Sequence, residues 1–258
     1  MPMLDPDELA RRVRQGELFH ALRLLPGAWA VLRVDGRGFS RFTQERFEKP
    51  FDPVFHRLMV RTASALLEDF QGVLAYTQSD EISVLFRPEW RLFDREVEKL
   101  VSLSAGLASA TFTHGAGVPA MFDGRVWLGA DERAVLDYFA WRQADGTRCA
   151  LQGWCYWTLR KEGLSAAQAT RELDGRSTSF KHELLFQRGI NFNDLPAWQR
   201  RGVLVRWERY TKEGVDPRDG SRTRTTRRRL GVDADLPMKD DFARHLRDVL
   251  ATSPAQAP

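Results

Sequence analysis

Cysteine is scarce in this chain of 258 residues: there are two, Cys149 and Cys155. Two thiols cannot build a disulfide framework, and neither Cys nor His recurs at the short paired spacings of a zinc site. The five histidines, His20, His56, His114, His182 and His245, show no ligand spacing and read as structural or surface residues. Also missing is any run of about 18 apolar residues, which excludes a membrane-spanning helix. The opening stretch MPMLDPDELARRVRQ lacks the basic start and apolar core of a secretory signal, so a cytoplasmic location is expected. Charge of one sign is no more than mildly in excess. The balance of 39 Lys and Arg against 35 Asp and Glu leaves +4, which suits a polyanionic partner without requiring one.

What is present is the composition of a globular protein. Hydrophobic residues make up 43% of the chain, enough to fill a core, and the length accommodates one large domain or two modest ones. AWAVLRVD (28–35) is an apolar run of strand length stopped by Asp-Gly. From Pro53 to Phe70, apolar residues recur at steps of three and four, the period of one helix face. GVLAY (72–76) and ISVLF (82–86) are strand-like and separated by TQSDE, a hairpin connection. A second helical pattern runs from Leu92 to about Phe112, and MFDGRVWLG follows as a fourth strand. The order β-α-β-β-α-β is the ferredoxin-like split unit. The expected fold is therefore α+β, with helices on one face of an antiparallel sheet. Its third strand lies between the first and second and runs antiparallel to both. This palm-like domain is expected over 1–136 and a mixed α/β region over 137–258. Within that region KEGVDPRDGSRTRTTRRR (212–229), polar and Arg-rich, is expected to be a mobile basic loop.

The topology has chemical content. A right-handed crossover sets the end of the first strand beside the turn between the second and third, so Asp35 and Asp80 are expected at one sheet edge. Two carboxylates so placed can share a pair of Mg²⁺ ions, the arrangement that activates an attacking oxygen and stabilises a leaving one in phosphoryl transfer. Gly36 and Gly38 allow the backbone to pass close to a phosphate, and Arg33, Arg37 and Lys49 supply charge to neutralise a triphosphate. Asp-Gly and Ser-Asp-Glu are also ordinary turn sequences, so neither motif is diagnostic by itself.

VLRVDGRGFSRFT, FEKPFDPVFHRLM, AYTQSDEISVLF, FDGRVW, DYFAWRQAD and FKHELLF followed by INFND occur in this order between Val31 and Tyr210. In order and spacing they resemble the tRNA-His guanylyltransferase family, whose catalytic core is a polymerase-like palm. The resemblance implies nucleotide addition in the 3′ to 5′ direction at the 5′ end of a tRNA. A 5′-monophosphate end would be activated with ATP, and the 3′-hydroxyl of an incoming GTP or other nucleoside triphosphate would then attack. It further implies that Asp35 and Asp80 bind both Mg²⁺ ions, with the Gly36 carbonyl completing one site and Glu81 supporting it. Asp35, Gly36, Arg37, Gly38, Phe39 and Ser40 would line the incoming nucleotide, with Ser79 beside them and Lys49 on a phosphate. Arg125, Lys181 and Asn191 match further nucleotide-binding positions, and Arg33 belongs with this set.

Arg222, Arg224, Arg227, Arg228 and Arg229 are expected to track tRNA phosphates. The tRNA acceptor stem is the implied partner and a homotetramer the implied assembly. Two departures bear on specificity. Eukaryotic members carry His where this chain has Ser40, and a His-Ile-Asn-Asn run where it has Thr147-Arg148-Cys149-Ala150. The first removes a stacking ring from that point; the loss of the second resembles the bacterial and archaeal branch, whose members resemble template-directed tRNA 5′-end repair enzymes. Other classes compatible with the palm are a nucleotidyl cyclase or dinucleotide synthase, and an inactive palm that binds RNA.

Overall fold

A computed structural model describes residues 5–215, 218 and 222–253. The first half contains α1 (Pro6–Arg14), β1 (Trp29–Gly36), α2 (Phe39–Arg46), α3 (Pro53–Asp69), β2 (Leu74–Gln78), β3 (Glu81–Phe86), α4 (Val97–Ala116) and β4 (Phe122–Gly129). There follow α5 (Glu132–Lys161), α6 (Ala166–Leu173), α7 (Thr178–Phe186), α8 (Ala197–Arg201), β5 (Val203–Val215), β6 (Arg222–Asp233) and α9 (Asp240–Thr252). The strands form one antiparallel sheet in the order β4-β1-β3-β2-β5-β6. As expected, the fold is α+β and β3 lies between β1 and β2.

Alternation along the central strands sends side chains to two cores. Ala30, Leu32, Val34, Ile82 and Val84 meet Met59, Leu66 and Leu67 of α3 and Leu100, Ala108 and Phe112 of α4. The palm's own two helices thus lie on one face. Trp29, Val31, Leu74, Tyr76 and Leu85 point the other way, against Val135, Leu136 and Phe139 of α5 and Phe242, Leu246 and Leu250 of α9. Each fully buried Leu or Phe contributes roughly 1.5–3 kcal/mol, so the strands that carry the site are clamped from both sides. A third cluster packs Leu151, Cys155 and Leu159 of α5 against α6 and α7.

Local chemistry starts and stops these helices where the site needs them. The Asp52 carboxylate caps α3, accepting from the N–H groups of Val54 (2.6 Å) and Phe55 (3.0 Å), and it also holds Glu48 N–H (2.9 Å). Burial works to raise its pKa, but these three donors outweigh it and hold the group below the ordinary range. Asp131 caps α5 through Ala134 N–H at 2.8 Å. Thirty residues long, α5 runs without a break from Glu132 to Lys161. The boundary expected between 136 and 137 falls inside it.

The region expected to be a mobile loop at 212–229 is instead the distal part of a β-hairpin, with positions 216, 217 and 219–221 outside the described residues. Low apolar content did not prevent strand formation, because cross-strand pairing of polar side chains stabilises an exposed ladder. Lys212 pairs with Thr225, Glu213 with Arg224 and Tyr210 with Arg227. Arg224 donates to Glu213 at 2.9 and 3.0 Å, and the guanidinium of Arg228 lies 4.4 Å from the centroid of the Trp207 ring.

Candidate active site

Asp35 is the penultimate residue of β1, in register with Glu81 of β3 and Asp123 of β4. Next to it, Gly36 N–H donates to the Asp80 carbonyl at 3.1 Å, tying the end of β1 to the two-residue turn Ser79-Asp80. The structure thereby brings together the two carboxylates that topology was expected to join. Ser79 sits in the left-handed region (φ 55) and its hydroxyl donates to Asp80 Oδ1 at 2.9 Å. Burial, reinforced by the negative charge of Asp35, pushes the Asp80 carboxyl up to about 6. A buried carboxylate beside a second one is the electrostatic situation a bound cation relieves.

Glu81 is handled differently. Arg142 of α5 donates to both of its carboxylate oxygens, each at 2.7 Å, and Arg33 Nε lies 3.7 Å away. Burial still raises the Glu81 pKa against these cations. Arg142 also reaches Asp145 at 3.4 Å, which in turn pairs with Arg148 at 2.6 Å. Lys49, which lines the same cleft, hydrogen-bonds Thr43 Oγ1 and lies 5.7 Å from the centroid of the Trp157 ring. Burial depresses its pKa against the pull of Asp80 and Asp52. A half-dehydrated ammonium in this position favours an incoming anion.

These groups surround one cleft of about 430 Å³, a size suited to a small organic ligand. Asp35, Ser40, Lys49, Ser79, Asp80 and Glu81 lie on its walls, and the facing wall is α5 with Arg142, Asp145 and Cys149. Gly146 lets this helix approach, since a Cβ there would meet Gln78 Cγ at 2.7 Å. Gly38 adopts φ 72 at the start of α2. Among the described residues no group of three or more His, Cys, Asp or Glu is arranged to hold a metal.

Residues 10–129 match the family model described as tRNAHis guanylyltransferase, and residues 133–238 match the one described as Thg1 C terminal domain. The chain belongs to the tRNA(His) guanylyltransferase family. It is accordingly a nucleotidyltransferase. A probable tRNA(His) guanylyltransferase of Drosophila melanogaster is 39% identical over 194 residues, 70% of this chain and 68% of the relative. A bacterial tRNA(His) guanylyltransferase (Thg1)-like protein solved in complex with GTP superposes with a TM-score of 0.71 at 26% identity, covering 95% of this chain and 99% of that one. The same description in complex with ATP gives 0.72 at 25% identity, covering 96% and 100%. The two family models meet just ahead of α5.

Other family-matched positions lie at varying distance from the cleft of this guanylyltransferase relative. Phe39 is on the cleft wall but buried, packed on Phe42, Phe55, Phe112 and Phe122 as part of the core. Arg37 is exposed, its N–H on the Met121 carbonyl at 2.8 Å. Arg125 stands opposite Arg33 across β4 and β1, paired with Asp123 at 2.9 Å. Lys181 and Asn191 do not line the cleft. The Lys181 carbonyl accepts from the Cys155 thiol, and the Asn191 side chain bonds Asn193 N–H and Asp194. Arg222, Arg224, Arg227, Arg228 and Arg229 lie on β6. Sequence reasoning gave no role to Arg142, Asp145, Trp157 or Trp198, all on the cleft wall. The signal for the first two was there in WRQAD, where Arg142 and Asp145 are one helical turn apart.

Proposed function

We propose that this chain adds nucleotides in the 3′ to 5′ direction to the 5′ end of a tRNA, with the incoming base chosen by pairing. The observation that carries the proposal is the Asp35–Asp80 pair in a cleft that Lys49 also lines. Asp35, Asp80 and the Gly36 carbonyl would hold two Mg²⁺ ions, and the mutual charge of the carboxylates fits that role. When bound, Mg²⁺ polarises the phosphate and lowers the pKa of the attacking hydroxyl. Lys49, Arg33 and Arg125 orient and neutralise the triphosphate. Ser40 and Ser79 offer hydroxyls to the nucleotide, and Glu81, clamped by Arg142, holds the turn carrying Asp80 against α5.

The GTP and ATP named for the bacterial relatives support a cleft that takes both: ATP to activate a 5′-monophosphate end, GTP or another triphosphate to extend it. Lys181 and Asn191 are retained as nucleotide contacts on motif alone. The arginines of β6 fit a role in holding tRNA phosphates, presented on a projecting ladder. A homotetramer is the assembly expected from the resemblance. No described helix is long and apolar enough to cross a membrane.

The purified protein, a tRNA lacking its 5′ nucleotide and labelled triphosphates provide the test. Extension at the 5′ end that requires Mg²⁺ supports the proposal. Small cyclic or dinucleotide products without tRNA extension would replace it with the cyclase class.

A further inference from the structure

Trp141 stands beside the catalytic carboxylates with its indole 53% exposed. The ring is nonetheless held. The Arg142 guanidinium lies 4.5 Å from its centroid, that of Arg33 5.9 Å, and Tyr138 meets it edge-on at 5.9 Å. Both arginines also face Glu81, the residue after Asp80, so one layer of side chains separates the indole from the carboxylate edge. Trp141 is outside the triphosphate cleft, whose wall includes Arg142 and Asp145 but not the indole.

The surroundings hold several arginines, each paired with a carboxylate: Arg33 and Arg142 with Glu81, Arg125 with Asp123 and Arg148 with Asp145. Arg125, half exposed, is in register with Arg33 and projects from the same sheet face. On α5, Arg148 follows Trp141 by seven residues, two helical turns along the same face, and is also exposed. An immobilised, solvent-facing indole among guanidinium groups has a π face for a base and positive charge for the flanking phosphates. An apolar partner would gain nothing from these arginines.

We propose that Trp141 is a stacking platform for a nucleobase at the end of the polynucleotide acceptor, with Arg148 on an adjacent phosphate. The proposal rests on nucleotidyl transfer in the neighbouring cleft and adds where the acceptor's end is gripped. Stacking a base remote from the reacting phosphate holds the terminus against Asp35 and Asp80, binding energy spent on position.

The test compares wild type, Trp141→Phe and Trp141→Ala on a 5′-truncated tRNA, measuring tRNA affinity across salt concentrations and steady-state kinetics for each substrate. Trp141→Ala should weaken tRNA binding roughly 5- to 100-fold and raise KM for tRNA. The KM for the triphosphate should stay at its wild-type value, whereas turnover, which depends on where the stacked end is held, should fall. Because no phosphate contact is removed, the slope of log affinity against log salt should be unchanged. Trp141→Phe, which keeps a ring, should retain most of the affinity. If the alanine variant melts early, Trp141→Leu takes its place, apolar but unable to stack.

Undiminished tRNA affinity in Trp141→Ala overturns the platform. So does a rise confined to the triphosphate KM, which would make the indole a contact for the free nucleotide. A flattened salt slope also overturns it, by showing that the loss acts through displaced arginines. If wild type extends no tRNA, nucleotidyl transfer itself fails, whereas tRNA affinity still judges the indole separately.

Discussion

At the scale of single residues the account rests on which carboxylates are compensated and which are not. Glu81 has Arg142 on both oxygens, while Asp80 has the charge of Asp35 beside it and a raised pKa. Replacing Asp35 or Asp80 by Ala should abolish nucleotide addition and leave thermal unfolding near wild type, with the double variant hardly worse than either single one. Near-normal turnover in either single variant would remove the metal pair from the account. For Glu81 and Arg142 the expectation is different, because each is largely buried and holds the other. Glu81→Gln or Arg142→Gln strands a partner and should cost on the order of 3 kcal/mol in urea unfolding. The double variant should lose clearly less than the sum, and both singles should lower turnover by similar factors. Strict additivity would show that Arg142 works independently of Glu81. Asp35 and Asp80 were legible in the sequence because topology places strand ends. Arg142 was not: its partner lies 61 positions away on another element, a distance that no helical spacing reveals.

At the scale of elements, the strands and helices of the palm were legible because their apolar periods of two and about 3.6 residues are set by burial on known faces. Two elements escaped. α5 was not read as a single helix across the expected boundary at 136–137, because its first turns bury Val135, Leu136, Tyr138 and Phe139 on a sheet face that the split unit alone leaves open. β6 was read as a loop because its pairing energy comes from Thr, Arg and Glu across an exposed ladder. That hairpin supports a definite expectation. Replacing Arg222, Arg224, Arg227, Arg228 and Arg229 with Gln should weaken tRNA binding and flatten its salt dependence, with turnover at saturating tRNA little changed. Stability should move by about 1 kcal/mol or less, since pairs such as Arg224 with Glu213 are well exposed. An unaltered salt slope, read by filter binding, would make the ladder a solvated surface feature.

At the scale of the molecule, the sheet is covered on both faces and carries the candidate site at one edge. Helices α3 and α4 cover one face and α5 and α9 the other, so the ends of β1 and β3 have little freedom. The cleft forms where α5 overhangs that edge. Its walls present hydroxyls, Lys49 and carboxylates, while the His-Ile-Asn-Asn run expected of a eukaryotic member is replaced by Thr147-Arg148-Cys149-Ala150 along α5. A pocket built to read guanine would penalise other bases through unpaired polar groups. A site that delegates choice to the opposing strand carries no such penalty. The most direct measurement offers the protein truncated tRNAs whose nucleotide opposite the missing position is varied through all four bases, and determines which triphosphate is added. The account predicts that the favoured triphosphate switches to the complement each time, with non-pairing additions clearly slower. Guanine added whatever the opposing base would contradict it.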